Sequence, residues 1–190
     1  MFSPERRSYG PLPQPDRGVD NDITFESARL EDIDDIIDLI AQISIANFQS
    51  DVLTEEDLRV TYDGQAFRDR RRRQLKNAIQ GSIKAAVFVA RSGKTIVGYG
   101  QSEIKNRNER HIHVYAGGVK GIGRSIFDRA IAWHGDTEDI YTDVVATSVN
   151  AIGFHIKNGF EDTGKRWDFK LEDGKPLPQV VLVRRANNRR

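Results

Sequence analysis

The sequence predicts an α/β domain with a single mixed, mostly antiparallel sheet flanked by helices, and three observations carry that reading. Between Ile33 and Ile79 apolar residues recur at helical spacing. From Ala85 to Tyr115 the period shortens to that of strands, in three segments separated only by turn chemistry. Beyond Tyr115 strand and helix patterns alternate, which places a crossover connection in an otherwise hairpin-linked sheet.

The elements follow in order. The first 22 residues hold four prolines between Pro4 and Pro15 and few apolar side chains, so they are expected to form a disordered tail, with the folded domain spanning 23–190. In "ITFESA", Ile23 and Phe25 alternate with polar residues as in a half-buried strand. After "RLED", Ile33, Ile36, Ile37, Ile40 and Ile43 form one apolar stripe, with Glu31, Asp32, Asp34, Asp35 and Asp38 making an acidic opposite face. Thr54, followed by Glu55, Glu56 and Asp57, predicts a capped helix start with carboxylates where the dipole favours them. "FRDRRRRQLKNAIQG" keeps Phe67, Leu75, Ala78 and Ile79 near one side and stops at Gly81. Its Arg70–Arg73 run reads either as a solvated helix face or as a phosphate patch.

"AAVFVAR", "TIVGYGQSEI" and "RHIHVY" predict an antiparallel meander. A glycine-rich loop follows, then the helix "GRSIFDRAIAWHG" with Ile126, Ala130 and Trp133 inward, the strand "DIYTDVVA", and a short helix closed by Asn158-Gly159. An amphipathic "WDFKLED", a turn at "DGKP" and the strand "QVVLVRR" finish the chain.

Composition narrows the function classes. A net charge of +1, with 30% charged residues, argues against a broad nucleic-acid surface. The absence of cysteine excludes thiol nucleophiles and thiolate metal sites and fits a cytoplasmic protein, as does the lack of a signal-peptide core or an apolar bilayer span.

The loop carries the chemistry. Unpaired N–H groups at a helix start make an anion site that glycines leave open to the ligand. G-V-K-G-I-G-R-S, from Gly118 to Ser125, fits the P-loop pattern except that Arg124 stands in place of lysine, a substitution that changes the reach and shape of the cation. A dinucleotide fingerprint begun at Gly121 fails because its third glycine falls at Ile126. A coenzyme A pyrophosphate loop and a plain tight turn are the remaining readings.

"GVKGIGRSIFDRAIAW", "DIYTDVVATS" and "NAIGFHIKNGFEDTG", in that order and spacing, resemble the GNAT superfamily of N-acetyltransferases, a resemblance that covers about Ile23 to Arg185. It implies the acyl-CoA N-acyltransferase fold, with the fourth and fifth strands splayed around acetyl-CoA. It further implies direct acetyl transfer in a ternary complex, without a metal, to an amine of a small molecule or peptide. The backbone of Val114, Tyr115 and Ala116 would then polarise the thioester carbonyl. The loop Gly118, Val119, Lys120, Gly121, Ile122, Gly123, Arg124 and Ser125 would hold the pyrophosphate, and Asn150 would bind the pantetheine arm or cap the next helix.

Two positions depart from the family pattern. Gly118 stands where a Gln or Arg begins the loop, and His155 stands where a tyrosine protonates the departing thiolate. His155 can donate a proton near neutral pH, or can simply pack. Strand alternation puts Glu109, His111, His113 and Tyr115 on one face, from which Glu109, directly or through water, and then His111 are the candidate bases. A non-catalytic domain of this fold that binds acyl-CoA or a protein partner is the alternative function, and a homodimer is left open.

Overall fold

The computed structural model describes residues 23–81, 84–105, 109–117 and 120–187; the expected tail, along with Gly118 and Val119, lies outside the described residues. Strand β1 (Ile23–Ser27) leads through a 3-10 turn at Leu30–Asp32 into helix α1 (Ile33–Asn47), whose five predicted isoleucines are all buried. Helix α2 (Glu55–Tyr62) starts at the predicted cap: the Thr54 hydroxyl accepts from the Asp57 amide at 3.3 Å, and the Asp57 carboxylate accepts from the Thr54 amide at 2.9 Å. Helix α3 (Gln65–Ile79) turns Phe67, Leu75 and Ala78 inward.

Strands β2 (Ala85–Ser92), β3 (Thr95–Ile104) and β4 (Arg110–Ala116) form the expected meander. Helix α4 (Ile122–His134), strand β5 (Ile140–Val145), helix α5 (Val149–Lys157) and strands β6 (Glu161–Lys170) and β7 (Pro176–Arg184) complete the chain. The seven strands lie in the order β1-β2-β3-β4-β5-β7-β6, and only β4 and β5 run parallel. The amphipathic "WDFKLED" is mostly the exposed edge strand β6, and the turn after it places Gly174 at φ 84°. Among the described residues no helix is long and apolar enough to cross a membrane.

The sheet is covered on both faces. Helices α1 to α3 pack with Val87, Val89 and Tyr99 on one side, while α4 packs with Ala90 and Val97 on the other. The seating of α4 depends on two glycines of β3. A Cβ at Gly98 would lie 2.5 Å from Ile126 Cδ1, and one at Gly100 would lie 2.3 Å from Ile126 Cγ2. The helix therefore rests directly on strand backbone. Its C-terminal end is fastened to the start of β4, where Arg110 donates to the His134 carbonyl at 2.8 Å and His134 Nε2 donates to the His111 carbonyl at 3.0 Å. Its N-terminal end is thereby held beside the end of β4, with Gly123 against Ala116.

Two expectations need correction. On α4 the buried residues are Ile122, Ile126, Phe127, Ala130 and His134, and Trp133 is only half-buried, because the core-facing stripe runs through i, i+4, i+8 and i+12 from Ile122. On α5 the cap position is Ser148, and Asn150 lies inside the first turn.

Candidate active site

Strands β4 and β5 are paired only through Arg110 with Ile140 and His111 with Tyr141, and then part. The bonds from β4 to β3 are made at odd positions, as Gly117 N donates to the Val97 carbonyl at 2.8 Å and Lys105 N donates to the Glu109 carbonyl at 2.8 Å. The even-numbered backbone groups consequently turn toward β5. At Ile112 the carbonyl accepts from the Thr142 hydroxyl at 3.0 Å, the last bridge across the gap. Beyond it the N–H groups of Val114 and Ala116 face a cleft of about 620 Å³ where no strand opposes them.

One wall of this cleft is polar. His113 lines it, and its Nε2 lies 3.2 Å from Glu103 Oε1 on β3. Glu103 is further held by Gln101 Nε2 at 3.0 Å and Lys105 Nζ at 3.6 Å. Burial pushes the Glu103 carboxyl up, but the hydrogen bond and charge of His113, with Lys105 and His111, outweigh it and lower the group to about 2. Glu103 is therefore an anion that orients His113. Asp143 of β5 also lines the cleft and accepts from Trp167 Nε1 at 3.1 Å. Lys105 Nζ and His111 Nδ1 are 3.8 and 3.9 Å from Asp143 Oδ2.

The opposite wall is apolar. His155 lines the cleft from α5, yet its ring is packed against Phe127, Phe154 and Phe160 at centroid distances of 5.9, 5.5 and 5.2 Å. Burial lowers it to about 4, so the ring is neutral at pH 7, and its Nδ1 has no hydrogen-bond partner. A neutral imidazole is a poor acid, which favours packing over proton donation for this residue.

The remaining predicted residues separate into groups. Val114, Tyr115, Ala116 and Asn150 line the cleft. Lys120, Gly121, Ile122, Gly123, Arg124 and Ser125 form the entry to α4 at the end of β4, with Gly121 at φ 90° as the cap and Ser125 N donating to its carbonyl at 3.1 Å. Arg124 points away from the loop, to Asp128 at 2.8 Å and to Asn158 at 2.7 Å, so its charge is already matched. Gly118 and Val119 lie outside the described residues. His111 is buried beside the cleft, stacked on Tyr141 at 5.7 Å, and its protonated form is disfavoured by burial and by Lys105, against the pull of Asp143. Glu109 is exposed, 3.7 Å from His111, and is not brought into the cleft. It stands on the predicted face, but five residues before Val114, roughly 17 Å along an extended strand.

Sequence reasoning passed over Glu103, Asp143 and Trp167, and took Arg71 only as one of the Arg70–Arg73 run. The first three depend on the strand register and on β6, which periodicity does not fix. Arg71 had a signal: with Phe67, Leu75 and Ala78 it falls at i, i+4, i+8 and i+11, a cation on the apolar stripe of α3. The acidic face of α1 and the arginine run also resolve together, since Arg68 pairs with Asp38 and Arg72 with Asp34, each at 2.6 Å.

The sheet is hairpin-linked with one parallel pair that opens beyond its first residues, next to a helix start, and solved structures match the overall fold. The fold is that of the GNAT acetyltransferases. The GNAT-fold neighbours include yncA from Salmonella typhimurium, in complex with its cofactor acetyl-CoA, at 15% identity and a TM-score of 0.65, covering 87% of this chain and 95% of that one. They also include the ribosomal-protein-alanine N-acetyltransferase of Brucella melitensis, at 18% identity and a TM-score of 0.61, covering 85% and 99%. The PaiA N-acetyltransferase of Thermoplasma acidophilum, in complex with coenzyme A, matches at 16% identity and a TM-score of 0.58, covering 86% and 98%. No family model and no curated protein matches the sequence.

Proposed function

We propose that the protein is an acetyl-CoA-dependent N-acetyltransferase acting on an amine acceptor. The observation that carries this reading is the pair of backbone amides, Val114 and Ala116, left without a strand partner where β5 departs. The GNAT fold, and neighbours solved with acetyl-CoA or coenzyme A, support it.

The co-substrate supplies an activated acetyl thioester. The Val114 amide is the donor for its carbonyl oxygen, a preorganised dipole aimed into the cleft. The first-turn amides of α4 and the glycine entry before them suit the pyrophosphate, and Asn150 suits the pantetheine arm. His113, oriented by the anionic Glu103, takes a proton from the incoming ammonium; of the two protons the nitrogen loses on becoming an amide, one can return through His113 to the leaving thiolate and the other passes to solvent. Lys105, near Glu103 and His111, adjusts the charge of this wall. In this assignment His113 takes the base role that strand alternation gives to Glu109 and His111, because His113 lines the cleft and those two do not.

Calorimetric titration with acetyl-CoA, with Mg-ATP as control, followed by thiol-release assays with amines, tests the reading. Saturable acetyl-CoA binding with amine-dependent thiol release is expected. Binding without release across the amine set would instead favour a non-catalytic acyl-CoA-binding domain, the reading that the neutral, buried His155 supports.

A further inference from the structure

The arginine run on α3 is not uniform. Arg70 and Arg73 are exposed, and Arg72 is matched by Asp34 at 2.6 Å and Asp69 at 3.2 Å. Arg71 alone turns inward to line the cleft. There NH2 donates to the Tyr99 hydroxyl at 3.3 Å and NH1 to the Gln74 side-chain carbonyl at 3.2 Å. Its Nε is shielded from solvent and has no partner. Among the described residues no carboxylate stands within ion-pair distance of Arg71.

A guanidinium keeps its charge under all ordinary conditions, and a sheltered cation without a direct partner is costly; Glu103 acts on Arg71 only from beyond ion-pair distance and is already held by His113 and Lys105. The tyrosines around it cannot supply the counter-charge, because burial raises the pKa of Tyr62, Tyr99 and Tyr115 and keeps their hydroxyls neutral. The space in front of Arg71 is walled by Phe48, Tyr62 and Phe67, whose rings meet edge to face at 6.0 and 5.0 Å, and it opens along the same cleft as His113. A planar fork with a free donor, an apolar wall and a base in one cleft match a small molecule with three corresponding parts.

We propose that Arg71 is the acceptor-binding cation of this cleft and that the acceptor is a free α-amino acid, its carboxylate held by Arg71 and its amine presented to His113. This rests on the acetyltransferase reading for the transfer, but the carboxylate contact stands apart from it. In the transfer itself the amine nitrogen forms a bond to the acetyl carbon and the carbon–sulfur bond breaks; of the two protons that leave the nitrogen, one passes by way of His113 to the thiolate and the other to solvent.

The experiment uses the full chain in two arms. In the first, each of the twenty common L-amino acids is titrated alone into wild type and Arg71→Gln, with the corresponding amino-acid amides as controls. At least one free acid is expected to bind wild type, with its amide and the Arg71→Gln protein each weaker by about 100-fold. In the second, thiol release from acetyl-CoA is followed with the same compounds and with spermidine. The free acid is expected to be the better acceptor, and Arg71→Gln to raise its KM far more than it lowers kcat, with Arg71→Lys intermediate because charge survives but the fork does not. A thermal melt matching wild type shows that each variant is folded; if Arg71→Gln melts early, the Arg71→Lys comparison decides. Equal binding of acids and amides, or Arg71 variants that bind the acid as wild type does, would overturn the proposal. Acid-selective, Arg71-dependent binding without acetyl-CoA binding would sustain the contact and sink the acetyltransferase reading instead.

Discussion

Each wall of the cleft carries a histidine, and the two differ in everything but residue type. On the β3–β4 wall, His113 meets a carboxylate and lies among Gln101, Glu103 and Lys105; on the α5 wall, His155 meets three phenylalanine rings. The first environment orients the ring by a hydrogen bond to a carboxylate, whereas the second, by burial, opposes a charge on it. A titratable side chain beside a cleft is therefore no guide to its role until its neighbours are known. The position that the family pattern marks for proton donation is, in this chain, the one least able to hold a charge.

The comparison can be broken most directly at His113. Replacing it with alanine should lower kcat by roughly 10²- to 10⁴-fold with little change in acetyl-CoA affinity, measured by thiol release and titration. A loss under 3-fold would remove His113 from the chemistry. Glu103→Gln should cost less, roughly 10- to 100-fold in kcat, because the orienting anion is gone while the imidazole stays. Gly100→Ala tests the frame instead of the walls: its methyl collides with Ile126, so stability should fall by about 1–3 kcal/mol in a denaturant titration.

His155 should act mainly on stability. Its folded pKa, about 4, lies below the 6.5 of the free side chain, so the unfolded chain binds more protons between those values. The native state is fully favoured above pH 6.5 and loses that advantage as pH falls toward 4. His155→Phe should flatten this part of the acid-melting curve while changing kcat by less than about 3-fold. Glu109→Gln, outside the cleft, should have the smallest effect, within about 2-fold on kcat.

Much of the frame was legible because it is written locally. The isoleucines of α1, the Thr54 cap, the turn between β2 and β3 and the Asn158-Gly159 stop each depend on neighbours a few residues away. Of the candidate site, the parts legible in the sequence are those that backbone carries, Val114 to Ala116 beside the cleft and the glycine entry of α4. Its side chains depend on register. Gln101 stands opposite His113 and Glu103 opposite His111, so the Glu103 carboxylate reaches His113 diagonally, a relation that no periodicity contains. Glu109 shows the converse limit: alternation gives the face of a strand but says nothing about how far along it the cleft begins. Arg71 was visible as a charge on an apolar stripe, and only its surroundings separate it from Arg70, Arg72 and Arg73.

The short pairing of β4 with β5 has a mechanical consequence. It divides the sheet into two leaves, β1 to β4 and β5 with β7 and β6, stitched by backbone through two residue pairs. Beneath that seam an apolar plug of Ile112, Phe127, Ile140, Val144, Phe160 and Leu182 spans both leaves. Apolar contact is non-directional, so such a plug tolerates small rotations that a hydrogen-bonded ladder would resist. A ligand bonded to the amides of β4 while packed against β5 would bridge the two leaves where the ladder stops, and should slow hydrogen exchange at Val114 and Ala116.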